Sequence, residues 1–179
     1  MRFRVKQYGI STDIEKAFLH IGLDETDRDM TRFFWLKDPE NPDGPLSTYR
    51  FKSVLFGATC SPFILNATIL KHLDNTNTDT SDIRRRDLYV DNVLSSVNGE
   101  NEALKYFREA KSVMSKAGFN LRSWSSNYAK LRQEAESEHI LEHKHTVKVL
   151  GLVWNTETDK ITFQRTQLVR DRNQDITKR

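Results

Sequence analysis

The sequence predicts an α+β domain with an antiparallel sheet and helices packed on one face. Runs rich in β-branched and aromatic residues mix with helical stretches instead of alternating strictly with them. Neighbouring β-prone runs are joined by turn residues, which is how antiparallel strands connect. One long segment, 101 to 117, has a single apolar face at helical spacing. The composition is that of an ordinary globular chain: 179 residues, 37% hydrophobic, 30% charged, 7 Gly and 4 Pro. It excludes collagenous and low-complexity classes. A chain of this length removes roughly 70% of its unfolded surface from water, so its core needs no disulfide or metal staple.

In order along the chain, FRVKQYGISTD (3 to 13) alternates loosely and predicts a strand that leads into a short helix, IEKAFLHI, with Asp13 at the strand end. TRFFWLK (31 to 37) and STYRFKSVLF (47 to 56) flank DPENPDGP, where three of the four prolines cluster; this reads as a hairpin with a long turn. Ser61-Pro62 opens a helix over FILNATILKHL, with Ser61 as the cap and Pro62 at the first helical position. DNTNTDTSDIRRR offers no apolar residues for a core beyond one isoleucine and reads as a surface loop. DLYVDNVLSSV (87 to 97) reads as strand, turn, strand, with Asp91-Asn92 as the turn. The 101–117 helix carries Ala103, Leu104, Phe107, Ala110, Val113, Met114 and Ala117 on one face and stops at Gly118. FNLRSW reads as a strand, and KLRQEAESEHILEHKH (130 to 145) as a charged helix or loop. TVKVLGLVWN and KITFQ, joined by TETD, complete a second hairpin.

Lys+Arg 28 against Asp+Glu 25 leaves a net charge of +3, which permits nucleic-acid binding without demanding it. No apolar run approaches the roughly 18 residues of a membrane span, and the N-terminus has no apolar signal core. With Cys60 as the single cysteine, no intrachain disulfide forms, which fits a reducing, intracellular setting. Cys60 has no His or Asp beside it in sequence and reads as a buried thiol.

Two acids stand out by setting. Asp13 ends an apolar strand and Asp91 sits in the turn of an apolar hairpin, so one sheet could bring both to the same edge. Paired carboxylates suit hard divalent cations, which take oxygen ligands. In nucleotidyl transfer, two such ions about 4 Å apart serve the attacking and leaving oxygens. Taken singly, each acid has a plainer reading: a helix cap for Asp13, a turn residue for Asp91. His139, His143 and His145 could hold Zn²⁺ by spacing, though the interleaved acids favour a polar surface. Arg84, Arg85 and Arg86 form a solvated basic cluster that could touch phosphates.

The order TDIEKAF (12 to 18), LFGATCSPF (55 to 63), YVDN (89 to 92), AGFNL (117 to 121) and VLGLVW (149 to 154) resembles the palm of a reverse transcriptase, more narrowly that of Pao/BEL-type LTR retrotransposons. The resemblance runs from about residue 2 to about residue 164. It implies a partial right-hand polymerase fold: a palm over 1–146 with most of the fingers missing, and a primer-grip-like hairpin over 147–179 that begins a truncated thumb or connection. It implies RNA-directed DNA polymerase activity on an RNA template and DNA primer, with deoxynucleoside triphosphates as substrates and two Mg²⁺ or Mn²⁺ ions as cofactors. Protease, ribonuclease H and integrase parts would accompany it in a polyprotein, in the cytoplasm, within a virus-like particle, or in the nucleus, without a membrane. A degenerate, catalytically inactive fragment or a nucleic-acid-binding module is the competing class.

By the same resemblance Asp13 and Asp91 are the metal carboxylates, with the Ile14 carbonyl as a further ligand. Asn92 stands where many relatives have a second Asp, and it offers a carbonyl oxygen with one charge fewer. Phe18 would lie under the sugar of the incoming nucleotide, or simply in the core. Phe56 and Gly57 would line the nucleotide pocket, Gly57 by close backbone approach. Ser61 and Pro62 would start the helix under the template. Tyr89 would pack beside the primer terminus or fill the sheet. Val149, Leu150, Gly151 and Leu152 would form the hairpin that positions the primer 3′ end, or an ordinary hairpin. Arg122 and Lys130 are candidates for a general acid. Phe33, Phe34 and Trp35 would face absent neighbouring subdomains.

Overall fold

The computed structural model describes residues 3–76 and 86–163. Within them the chain is α+β, and every strand pairing in the named sheets is antiparallel, as the sequence predicts. The chain divides into two compact units, 1–143 and 144–179.

The first unit is built on a four-stranded sheet in the order β4-β5-β1-β6. Its strands are β1 (Tyr8–Ile14), β4 (Leu88–Tyr89), β5 (Asn92–Val97) and β6 (Leu121–Ser126). Side chains alternate between the faces of a strand, and this sheet uses the alternation fully. Ile10, Ile14, Val93, Val97, Leu121 and Trp124 point to one face and join a single core. Three helices supply the other side of that core: α1 (Ser61–Asp74), α2 (Glu100–Lys116) and α3 (Ala129–Ser137). Helix α1 contributes Leu65, Ile69 and Leu73, a stripe at every fourth residue. Helix α2 contributes seven buried residues, among them Phe107, whose ring meets Trp124 edge-on at 4.6 Å. The C-terminus of α2 is a Schellman motif: Phe119 N–H donates to the Met114 carbonyl and Gly118 N–H to that of Ser115, with Gly118 at φ +77.

A separate two-stranded sheet, β2 (Arg32–Leu36) and β3 (Leu46–Arg50), is the expected long-turn hairpin. It ends at Arg50, well short of Phe56. A single 3₁₀ turn, Ala17–His20, stands where the sequence predicts a helix over 14–21. Lys16, not Asp13, precedes that turn, so Asp13 caps nothing. The polar loop expected after α1, with Arg84 and Arg85, lies largely outside the described residues.

Four local expectations are corrected. Helix α1 begins at Ser61 with Cys60 as its cap residue, and the Ser61 hydroxyl donates to the Leu55 carbonyl instead of accepting from the helix. Cys60 is exposed, not buried. The β4–β5 turn consists of Val90 and Asp91, because Tyr89 pairs with Asn92; the positive φ falls on Val90, at +56. Segment 130–145 is not merely a solvated surface: Leu131 and Ala135, four residues apart on α3, are fully buried.

The second unit, within its described residues, is a three-stranded meander of β7 (Thr146–Val149), β8 (Leu152–Asn155) and β9 (Lys160–Phe163). The sequence reads 146–155 as one strand, whereas Leu150 and Gly151, at φ +48 and +81, break it into a two-residue hairpin. The resemblance anticipates that hairpin. Trp154 is fully buried and donates its indole N–H to Asp159 at 2.9 Å.

Candidate active site

The face of the first sheet away from the helices carries one row of side chains across all four strands: Tyr89, Asn92, Asp13 and Arg122. Directly opposed residues share a face, and the register pairs Tyr89 with Asn92, Asn92 with Asp13, and Asp13 with Arg122. The β4–β5 turn places Asp91 one residue before Asn92, next to the strand end that carries Asp13 and Ile14. Ile14 N–H donates to the Asp91 carbonyl at 2.8 Å, so the turn is stitched to the strand that holds Asp13.

Electrostatics fit the geometry. Burial pushes the Asp13 carboxyl above the ordinary carboxylate value, and the negative charges of Asp91 and Glu142 push in the same direction, while hydrogen bonding from Ser123 opposes them. Asp13 Oδ1 is buried and has no hydrogen-bond partner. A buried carboxylate oxygen with no donor is costly unless something else meets it. Asn92 donates its amide Nδ2–H to Asp91 Oδ1 at 2.9 Å. The Asn92 side chain thus orients the second carboxylate, and its amide proton faces that oxygen. Arg122 forms an ion pair with Glu15 at 2.8 Å.

Two hard-oxygen donors side by side, one with an orphaned buried oxygen, fit a divalent cation. Among the described residues no group of three or more His, Cys, Asp or Glu is placed to hold a metal. Of the histidines read as a possible Zn²⁺ set, His145 faces Glu157 at 3.3 Å.

The remaining sequence candidates fall into separate places. Phe18 is buried in the core, and its ring meets that of the exposed Phe56 edge-on at 5.7 Å. Gly57 takes φ +88 with open space where a Cβ would stand, so conformation, not a close neighbour within the chain, calls for glycine there. Ser61 is buried at the start of α1 and Pro62 is exposed beside it. Tyr89 is exposed at the edge of the row. Val149, Leu150, Gly151 and Leu152 belong to the second unit. Glu142, whose negative charge adds to that of Asp91 at Asp13, lies in a run the sequence reads as polar surface.

The sequence profile described as reverse transcriptase (RNA-dependent DNA polymerase) matches residues 2–154. The chain belongs to the reverse transcriptase family. Among solved structures, the reverse-transcriptase chain resembles the foamy viral protease-reverse transcriptase determined in complex with an RNA/DNA hybrid, at a TM-score of 0.57 and 16% identity. That likeness covers 92% of this chain and 18% of the foamy viral one, so the chain spans under a fifth of that relative's length. It bears out the α+β fold as part of a reverse-transcriptase fold. No curated protein sequence matches the chain.

Proposed function

We propose that the chain is the catalytic palm of an RNA-directed DNA polymerase from a Pao/BEL-type LTR retrotransposon polyprotein, adding deoxynucleotides to a primer 3′ end on an RNA template. The observation that carries this reading is the convergence of Asp13 and Asp91, distant in sequence, where the β4–β5 turn is hydrogen-bonded to Ile14 beside Asp13, with a buried oxygen of Asp13 left unbonded. Asp13 and Asp91 would hold a pair of Mg²⁺ or Mn²⁺ ions, with the Ile14 carbonyl as a further donor. Bound there, such ions supply charge neutralisation at the triphosphate and activation of the primer hydroxyl.

The chain's own residues do the rest. Asn92 keeps the Asp91 carboxylate turned by its hydrogen bond. Phe18, backed by the core and edged by Phe56, gives a rigid ring against which a 2′-hydroxyl would clash. Gly57, free of neighbours, leaves its backbone open to a nucleotide. Arg122, across from Asp13, presents positive charge to phosphate. Ser61 and Pro62 set the start of α1 for the template and Tyr89 flanks the primer end; in the second unit, the Val149–Leu152 hairpin is the primer-grip-like element that the family resemblance implies. Fingers, thumb, protease, ribonuclease H and integrase segments of the polyprotein complete the machine, which works in the cytoplasm or nucleus.

The test is RNA-templated primer extension by a polymerase that carries these 179 residues between fingers and thumb segments. Asp13→Asn or Asp91→Asn lowers the rate by about three orders of magnitude, the scale of several kcal/mol of lost charge stabilisation. Extension that survives Asp91→Asn overturns the assignment. Salt-sensitive nucleic-acid binding with no extension under any metal would instead identify a binding module.

A further inference from the structure

We propose that a cleft between α2 and the start of β6 binds a polyphosphate anion, of which inorganic pyrophosphate is the simplest, and that Arg122 joins this cleft to the row that holds Asp13. The anion site follows from the lining alone; its assignment to pyrophosphate rests on the polymerase function proposed above.

The cleft has a volume of about 550 Å³. Helix α2 lines it with Arg108, Lys111, Ser112 and Ser115. These positions, at i, i+3, i+4 and i+7, form one stripe along the helix, separate from the apolar stripe that α2 buries in the core. Asn120 and Arg122 complete the polar lining from the edge of the sheet, where β6 is the outermost strand. Each of these six side chains can donate a hydrogen bond, and no carboxylate lines the cleft.

The three cations are held by acids that stand outside the lining. Arg108 meets Glu134 at 2.7 Å, Lys111 pairs with Glu138, and Arg122 meets Glu15 at 2.8 Å. A guanidinium carries five N–H donors and a carboxylate engages two of them side by side, so both arginines keep donors for a ligand. The pairing also holds the side chains in place, and less rotamer freedom is lost when an anion arrives. Burial pulls the Lys111 ammonium below its ordinary pKa, against the charge of Glu134. An anion beside Lys111 compensates for the water that burial removes.

Position selects the anion. Ile14 pairs with Leu121, and Glu15 N–H donates to the Asn120 carbonyl at 2.9 Å, so the cleft lies beside the strand end that carries Asp13. Arg122 stands directly opposite Asp13 in the register and also lines the cleft. In nucleotidyl transfer the primer oxygen bonds to the α-phosphorus and gives up its proton. The bond to the β-phosphate oxygen breaks, and its electron pair leaves on pyrophosphate. Pyrophosphate freed at Asp13 is thus released next to a cleft of donors that shares Arg122 with the row.

The experiment titrates sodium pyrophosphate into the 179-residue chain by calorimetry, in metal-free buffer of low ionic strength, with thermal melting of each variant in parallel. Ser112→Glu, at an exposed position of the lining, melts as the parent does and binds pyrophosphate at least about tenfold more weakly, the scale of one lost charge-assisted hydrogen bond. Lys111→Gln weakens binding likewise. Lys71→Gln, which removes a charge from α1 outside the lining, keeps the affinity within about twofold, because screened charge at a distance contributes little. Asp13→Asn does not weaken binding, since no metal is present to recruit the anion to the row. If the parent chain binds no pyrophosphate, or if Ser112→Glu and Lys111→Gln both bind it as the parent does, the cleft is refuted while the polymerase function still rests on primer extension. If Asp13→Asn abolishes binding, the anion sits on the catalytic row and the cleft is refuted again. A single-stranded oligothymidylate, titrated in the same way, tests strand phosphate: loss of its binding in Ser112→Glu with pyrophosphate binding unchanged assigns the cleft to a nucleic-acid backbone and overturns the pyrophosphate assignment.

Discussion

At the scale of single residues, the site is held in conformations that local preference resists. Val90 at φ +56 is a β-branched residue in the left-handed region, at a cost of about 1–2 kcal/mol. It stands immediately before Asp91, and two hydrogen bonds over-determine the turn: one from Ile14 N–H to the Asp91 carbonyl and one from Asn92 to the Asp91 carboxylate. Asp13 adds a titratable term. Its folded pKa lies above the ordinary 3.8, chiefly through burial. The folded chain therefore holds this proton more tightly than the unfolded chain. Its contribution to stability falls as pH rises from the ordinary value through the raised one, and above that window the ionised group is a net cost. In metal-free buffer, Asp13→Asn raises Tm near pH 7, and the gain shrinks as the pH is lowered toward about 3; paired thermal melts at the two pH values check it. Leu150 gives a cleaner case of strain. It occupies the first position of a two-residue turn with Gly151, both at positive φ, where asparagine is preferred. Leu150→Asn stabilises the β7–β8 hairpin by about 1 kcal/mol, read as slower hydrogen exchange of the β8 amides.

Strain is also what the sequence hides. A valine and a leucine inside β-prone runs announce strand, so the turn before β5 is legible but its left-handed Val90 is not, and the break at Leu150 is illegible from local pattern. Asp13 and Asp91, by contrast, are legible because each interrupts an apolar run with a charge. Gly118 is legible too, since positive φ at the end of a helix is what glycine is selected for.

At the scale of elements, patterns with a long period are read well. The apolar face of α2 is buried as its spacing requires, and Gly118 ends it in a Schellman motif. Phe107 packs edge-on against Trp124 with neither exposed to solvent. Phe107→Ala costs about 3–5 kcal/mol, measured as a shift of the denaturation midpoint at unchanged slope. Helix α3 was obscured by its charges: two buried residues, Leu131 and Ala135, suffice to dock nine residues whose other positions face solvent or partners such as Arg108, which meets Glu134 at 2.7 Å. The start of α1 was legible as a place but not as chemistry, because the Ser61 hydroxyl turns back to Leu55 instead of capping the helix.

At the scale of the whole molecule, the described residues leave an aromatic surface on the β2–β3 hairpin. Phe34 is 71% exposed on one face of the hairpin; on the other Trp35 is 58% exposed and the Phe33 ring meets Tyr49 at 5.9 Å and Phe51 at 5.0 Å. Exposed apolar patches of this kind drive association. The chain therefore associates with rising concentration, and Phe34→Thr with Trp35→Thr suppresses that association, as light scattering would read. The proposed activity requires that Asp13 and Asp91 act as one site. A double-substitution cycle of Mn²⁺ binding to the chain measures this directly: in a shared site, Asp13→Asn, Asp91→Asn and the double substitution lose nearly the same affinity. Losses that simply add, or binding unchanged by either single substitution, would contradict it.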